Sequence, residues 1–176
     1  MLNQLFDWLL SFYEHINPFV IIREYQQGLL LRLGEFKKVL NKGLHFKIPF
    51  IDEVMLQHVV LTTLNLSAQS LYTKDKCNIV VKAVIKYKIS DIKVFLLEVF
   101  DSVDAIGDVT QGIIKNIIME KTFEECLSSE IDNIITKKVR VECKKWGVEI
   151  AQVTLSDIAP IKTIRLINES TNLQLN

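Results

Sequence analysis

The chain of 176 residues balances 21 Lys and Arg against 21 Asp and Glu, and 49% of it is hydrophobic. That length and composition suit a globular body with a packed core. The zero net charge excludes a general nucleic-acid binder, which carries a basic excess, and removes electrostatics as the main route to an anionic membrane.

The first 18 residues read as an amphipathic helix. Leu2, Leu5, Phe6, Leu9, Leu10, Phe12, Tyr13 and Ile16 fall on one face, with Trp8 at its edge. Asn3, Gln4, Asp7, Ser11, Glu14 and His15 fill the other side. The spacing is that of a helix, and Pro18 ends it. At ~1.5 Å per residue the helix is roughly 24 Å long, shorter than a ~30 Å hydrocarbon core. It suits a membrane interface better than a crossing, and packing on its own body or on a neighbouring subunit is the alternative. The segment lacks the basic start and small-residue cleavage site of a signal peptide. No Gly follows Met1 and no prenylation motif ends the sequence.

From Phe19 to Ile89 the pattern is strand-like. Val20 to Glu24 is one strand, Gln26-Gln27-Gly28 a turn, and Leu29 to Leu33 a second strand closed by Gly34. Asn41-Lys42-Gly43 is another turn, followed by Leu44 to Ile48 and a stop at Pro49. Val54 to Leu66 reads as one long apolar run. In Ile79 to Ile89, Val81, Ala83, Ile85, Tyr87 and Ile89 alternate with lysines, the signature of a sheet with one covered face.

Ser90-Asp91 signals a helix start. Ile92 to Phe100 is expected to be a short helix. Ser102 to Met119 is a longer one, with Val103, Ile106, Val109, Ile113 and Ile117 in its stripe. Thr122-Phe123-Glu124-Glu125 restarts as a cap. Glu130 to Trp146 is a further helix ended at Gly147, with its lysines turned outward to solvent or to acidic groups of a neighbouring subunit. Val148 to Ser156 returns to strand. The order of strands, helices and strand predicts an α+β fold. A β-rich lobe is expected over 19–90, an α/β lobe over 91–160 and a short tail over 161–176.

Landmarks in this order resemble a known family. Leu31-Arg32-Leu33-Gly34 and Gly43-Leu44-His45-Phe46-Lys47-Ile48-Pro49-Phe50-Ile51-Asp52 are similar to the start of an SPFH domain, the band-seven family of stomatins, prohibitins and HflK/HflC-like proteins. Thr73-Lys74-Asp75 resembles that family's turn before a long strand. Trp146-Gly147-Val148 resembles its step into the last strand, and Asp157-Ile158-Ala159-Pro160 its close. The motif residues Gly34, Gly43, Leu44, His45, Pro49, Asp52, Thr73, Lys74, Asp75, Trp146, Gly147 and Pro160 mark a fold and not an active site.

The resemblance implies a β-rich lobe near a membrane and lateral self-assembly into a ring, cage or microdomain. Peripheral attachment through the amphipathic N-terminal helix, at the cytoplasmic face, is expected. Expected partners are copies of the chain itself, membrane lipid, and a membrane AAA+ protease or longer SPFH protein, to which the stretch from Gly43 to Ile51 leans. The alternative is a regulatory or decoy partner of a longer assembly or its protease, of the kind a phage or mobile element encodes. Four departures stand out. The N-terminal stretch is amphipathic where relatives have a spanning segment. Lys42 precedes the Gly-Leu turn in place of Pro, and Lys115 sits where relatives often carry Arg. Only Ile161 to Asn176 follows the final Pro, in place of a long coiled coil.

Catalysis finds no residues in the pattern. His15, His45 and His58 form no metal or nucleophile motif, and no phosphate-cradling glycine loop occurs. Cys77, Cys126 and Cys143 match no zinc or redox spacing and are expected to be buried or half-buried thiols. No enzyme activity, metal or cofactor is expected.

Overall fold

A computed structural model describes residues 18–161. The chain runs β1 (Phe19–Ile22), β2 (Gln26–Arg32), β3 (Glu35–Leu40), β4 (Gly43–Phe46), β5 (Asp52–His58), β6 (Thr62–Asn65), β7 (Gln69–Tyr72) and β8 (Asn78–Ile89). Helices α1 (Ile92–Leu97), α2 (Ser102–Met119), α3 (Phe123–Cys126) and α4 (Glu130–Cys143) follow, then a 3-10 turn over Lys144–Trp146 and β9 (Val148–Pro160). This is the expected α+β order.

β8 organises the larger sheet. β9 pairs antiparallel along one of its edges from Ile79↔Pro160 to Ile89↔Val148. β6 and β7 lie end to end along the other. The β8–β9 pairing therefore joins the two stretches on either side of residue 90. The expected alternation holds: Val81, Ala83, Ile85, Tyr87 and Ile89 are buried, while Lys82, Lys86 and Lys88 are exposed. The buried face packs on Ile106, Ile114, Ile117 and Ile118 of α2 and on Ile131, Ile135, Val139 and Cys143 of α4. The inward line on α2 is Ile106-Thr110-Ile114-Ile118, rotated from the expected stripe, so Val103, Val109 and Ile113 flank it half-buried. Thr110 sits in this apolar line because its hydroxyl donates to the Ile106 carbonyl at 2.7 Å.

A second sheet has the order β3-β2-β5. Leu29 and Leu31 of β2 face the main core, and Leu30 faces a smaller cluster with Ile22 and Leu40. Both faces of β2 are covered, which is why its leucines run without alternation. The ribbon β1–β4 lies over the smaller cluster and inserts Ile22 into it.

Two strand expectations are corrected. Gln26, Gln27 and Gly28 are in β2, and the turn lies one step earlier, where the Gln26 N–H donates to the Arg23 carbonyl at 3.0 Å. Gly28 serves packing instead: a Cβ there would stand 2.8 Å from the Ile22 Cδ1. The run Val54 to Leu66 is two strands in different sheets, since β5 pairs with β2 and β6 with β8. The helix expected over 92–100 ends at Leu97.

β9 is an edge strand, and α4 covers its outer side. Asp132, Thr136 and Arg140 recur every four residues. The Asp132 carboxylate accepts from Leu155 N–H (3.1 Å), and the Thr136 hydroxyl bonds both N–H and C=O of Val153 (2.9 and 3.2 Å). Arg140 donates to the Ile150 and Ala151 carbonyls, each at 3.0 Å, where the β8–β9 register shifts. These polar groups occupy an edge that would otherwise template strand addition.

Candidate functional site

The ribbon β1–β4 presents an unusual surface. Its register places Phe19 opposite Phe46 and Ile21 opposite Leu44. Paired residues share a face, and Val20 and Ile22 point inward, so Phe19, Ile21, Leu44 and Phe46 all point outward. Each is 54–70% exposed. The two phenyl rings meet edge to face, 6.0 Å between centroids. A two-stranded ribbon normally turns a polar face to water; this one turns four bulky apolar side chains outward. Contiguous exposed patches of this kind mark surfaces that meet another phase or another chain.

The apolar surface continues into the neighbouring turns. Beyond Phe46, Pro49 sits in a turn in which the Asp52 N–H donates to the Ile48 carbonyl at 2.9 Å. Phe50 projects from that turn with φ +65°, and Leu33 from the β2–β3 hairpin with φ +52°. The two line one cleft with Ile51 and Lys47. Bulky residues in the left-handed region are strained, typically by ~1–2 kcal/mol. A two-residue hairpin loop favours Asn-Gly or Asp-Gly, and here the pair is Leu33-Gly34, with Gly34 at φ +81°. Strain held at two adjacent exposed apolar tips points to a use for them. Leu33→Asn is therefore expected to raise thermal stability, by ~0.5–1 kcal/mol. Thermal melting of the variant beside wild type checks it.

The Lys47 N–H donates to the Pro18 carbonyl at 2.7 Å, which fixes the place where residues 1–17 join the body. That place is the Phe19–Phe46 end of the outward face. The expected membrane or assembly residues Leu2, Leu5, Phe6, Trp8, Leu9, Leu10, Phe12, Tyr13 and Ile16 lie outside the described residues.

The motif residues fall into three groups. In the first, Gly34 completes the hairpin, Gly43 opens β4, Leu44 is on the outward face, and His45 Nε2 bonds the Asn41 carbonyl oxygen. Asp52 is buried beneath the Pro49 turn. It accepts from Arg32 Nε at 2.7 Å and Nη2 at 3.0 Å, and from the Ile48 N–H at 2.8 Å. The Arg32 guanidinium and the Ile48 N–H hold its carboxyl down at about 2. Asp52 is ionised more readily folded than unfolded, so its contribution is complete above the ordinary carboxylate range near ~4 and is lost as pH falls through about 2. Wild-type melting temperature should fall between those pH values by more than that of Asp52→Asn, which starts lower at neutral pH. Parallel melts across that window check it.

In the second group, the Thr73 hydroxyl donates to Asp75 and accepts from the Cys77 N–H at 3.1 Å. Asp75 in turn accepts from Phe123 N–H at 3.4 Å, and Lys74 N–H donates to the Lys121 carbonyl at 2.8 Å. The Thr-Lys-Asp turn thus ties the start of β8 to the start of α3. In the third, Trp146 ends the 3-10 turn against the core, Gly147 reverses the chain at φ +69°, and Pro160 pairs with Ile79 at the end of β9. The three groups are separate structural joints, and the geometry does not bring them together.

The cysteines are packed side chains. Cys126 and Cys143 are buried and Cys77 is half-buried, all as free thiols. Burial pushes the Cys143 thiol up to about 11 and raises that of Cys126, the reverse of what a nucleophile needs. Among the described residues, no His, Cys, Asp or Glu group is arranged to hold a metal ion, and no helix is long and apolar enough to cross a membrane. The outward apolar face was missed in the sequence because β1 is apolar on both faces, and alternation alone would make Leu44 and Phe46 the buried side of β4; the packing of Ile22 turns them outward.

A family model described as SPFH domain / Band 7 family matches residues 20–174. An uncharacterized protein of Archaeoglobus fulgidus is 29% identical over 150 residues, covering 84% of this chain and 60% of that protein. The putative band 7 family protein R614 of Acanthamoeba polyphaga mimivirus is 24% identical, covering 80% of this chain and 47% of its own length. The modulator of FtsH protease HflC of Escherichia coli strain K12 is 29% identical over 126 residues, covering 68% of this chain and 35% of HflC. The chain matches less than two thirds of the length of each of these three relatives.

Proposed function

The chain belongs to the SPFH domain / Band 7 family, and from that premise we propose that it is a non-enzymatic, membrane-associated scaffold subunit that assembles laterally with its own kind. One observation carries the membrane half: the outward apolar face of Phe19, Ile21, Leu44 and Phe46, continued by Phe50 and Leu33, at the point where residues 1–17 join the body. A fully buried side chain of this size gains ~1.5–3 kcal/mol. Shallow immersion of six, added to an amphipathic helix, suffices for peripheral attachment. In this arrangement the first lobe, residues 19–90, lies on the lipid and the second, residues 91–160, stands away from it. The cytoplasmic face of the membrane is the proposed side.

The attachment is hydrophobic, so it should depend little on salt. Full-length protein is expected to sediment with neutral phosphatidylcholine vesicles equally at low and high ionic strength. Retention in the supernatant, or release by salt, contradicts the reading.

The similarity to a protein named as a modulator of FtsH protease favours a second reading. In it the chain joins a longer SPFH assembly and alters the protease held there. Co-purification of a membrane AAA+ protease or an SPFH protein with the full-length chain supports this reading; self-association alone counts against it.

A further inference from the structure

Two features of the helical layer are unused by the fold. The first is a knob. Phe100, in the α1–α2 turn, is 100% exposed. Asp101 behind it turns the chain at φ +45° and caps α2, and Asp104 and Asp108 continue an acidic line along that helix. The second is a groove of about 390 Å³ between α2 and α4. Ile113 and Val141 supply its apolar surface, Lys137 and Lys138 rim it one turn before Val141, and Glu142 completes the rim with its carboxylate paired to Lys145 at 3.0 Å. Val141 is 73% exposed. Neither lysine has an ion-pair partner among the described residues.

Knob and groove match in chemistry. One is an aromatic side chain followed by acids; the other is an apolar surface whose unpaired rim charges are two lysines, since Lys145 offsets Glu142. They cannot meet within one chain. Ile113 lies eleven residues into α2, about 17 Å along its axis from the end that carries Phe100. At ~100° per residue, Asp104 and Asp108 lie on the opposite flank of α2 from Ile113. Complementary patches displaced in this way on one molecule form a head-to-tail contact, which propagates into a ring or an open array. The covered β9 edge leaves side-chain docking, not strand addition, as the means along this side of the body.

The geometry points to a heterologous interface between copies of this chain. Phe100 of one copy enters the Ile113–Val141 groove of the next, and Asp104 and Asp108 meet Lys137 and Lys138. The inference rests on the lateral-assembly reading above and names its contact.

Sedimentation velocity of the full-length protein, in detergent and on phosphatidylcholine vesicles, tests it. Phe100→Ser, the pair Asp104→Lys with Asp108→Lys, and the pair Lys137→Glu with Lys138→Glu should each weaken self-association by about tenfold or more. All five side chains are solvent-exposed, so the variants should fold. The two charge-reversed variants mixed in equal amounts should co-assemble, since each reversed knob then faces a groove of opposite sign. Variants that assemble like wild type overturn the interface and leave the scaffold reading standing. Wild-type protein that stays monomeric on lipid overturns both. Groove variants that assemble normally but leave the vesicles make lipid the occupant and overturn the interface.

Discussion

Gly147→Ala is expected to cost ~2–4 kcal/mol of stability, a large fraction of the ~5–15 kcal/mol that holds a domain folded. The residue stands at φ +69° after the 3-10 turn, where a Cβ alone costs ~1–2 kcal/mol. The new Cβ would also stand 2.5 Å from the Asp91 carbonyl oxygen and 3.2 Å from the Asp91 Cβ. Backbone movement could relieve that contact, but the Gly147 carbonyl accepts from the N–H groups of Ser90 (2.9 Å) and Asp91 (3.0 Å). Asp91 caps α1 through Lys93 and Val94 N–H. Relief at one bond therefore loosens the start of α1 and the start of β9 together. Gly112→Ala is the control. That glycine is exposed in the middle of α2, and a Cβ added to it would meet nothing within 4 Å. Helix propensity then gives a gain of ~0.5–1 kcal/mol. Thermal or urea melts of the two variants should move in opposite directions. Equal shifts would mean that the corner carries no strain-sensitive joint.

Ile21→Glu combined with Leu44→Lys should remove most vesicle binding while leaving the fold intact. The two residues face each other across the ribbon, so the new charges form a cross-strand pair. Both side chains are mostly exposed, and stability should change little. Net charge stays at zero, so any loss of binding reports lost apolar contact. Partial immersion of two such side chains is worth about 2–3 kcal/mol, or roughly 30- to 150-fold in partitioning. Co-sedimentation with neutral vesicles reads the loss, and the melting temperature checks the fold. Undiminished binding would assign attachment wholly to residues 1–17.

Local signals made much of the fold legible. The alternation in β8, the limits of α2, the Asp91 cap, the Thr122–Glu125 capping box and the left-handed Gly147 each depend on neighbours a few residues away. Errors came where tertiary partners decide. Nothing between Val54 and Leu66 breaks a strand, since the stretch holds no Gly or Pro, yet the chain passes there from one sheet to another. Gln26-Gln27-Gly28 has turn chemistry, but the glycine answers the close approach of Ile22. The lysines of α4 drew notice for their exposed side; Asp132, Thr136 and Arg140 do more for the fold, because they satisfy β9. Their spacing of four was visible, but its meaning required knowing that β9 is an edge. The motif residues likewise resolved into joints, and the outward apolar surface lies largely beside them.

A lateral scaffold on a lipid surface, as proposed for this chain, is visible by electron microscopy of the full-length protein reconstituted on neutral lipid vesicles. A scaffold predicts rings or contiguous arrays on the lipid, with the β1–β4 ribbon against the bilayer and the α2–α4 layer away from it. Monodisperse monomers that stay off the lipid would contradict it.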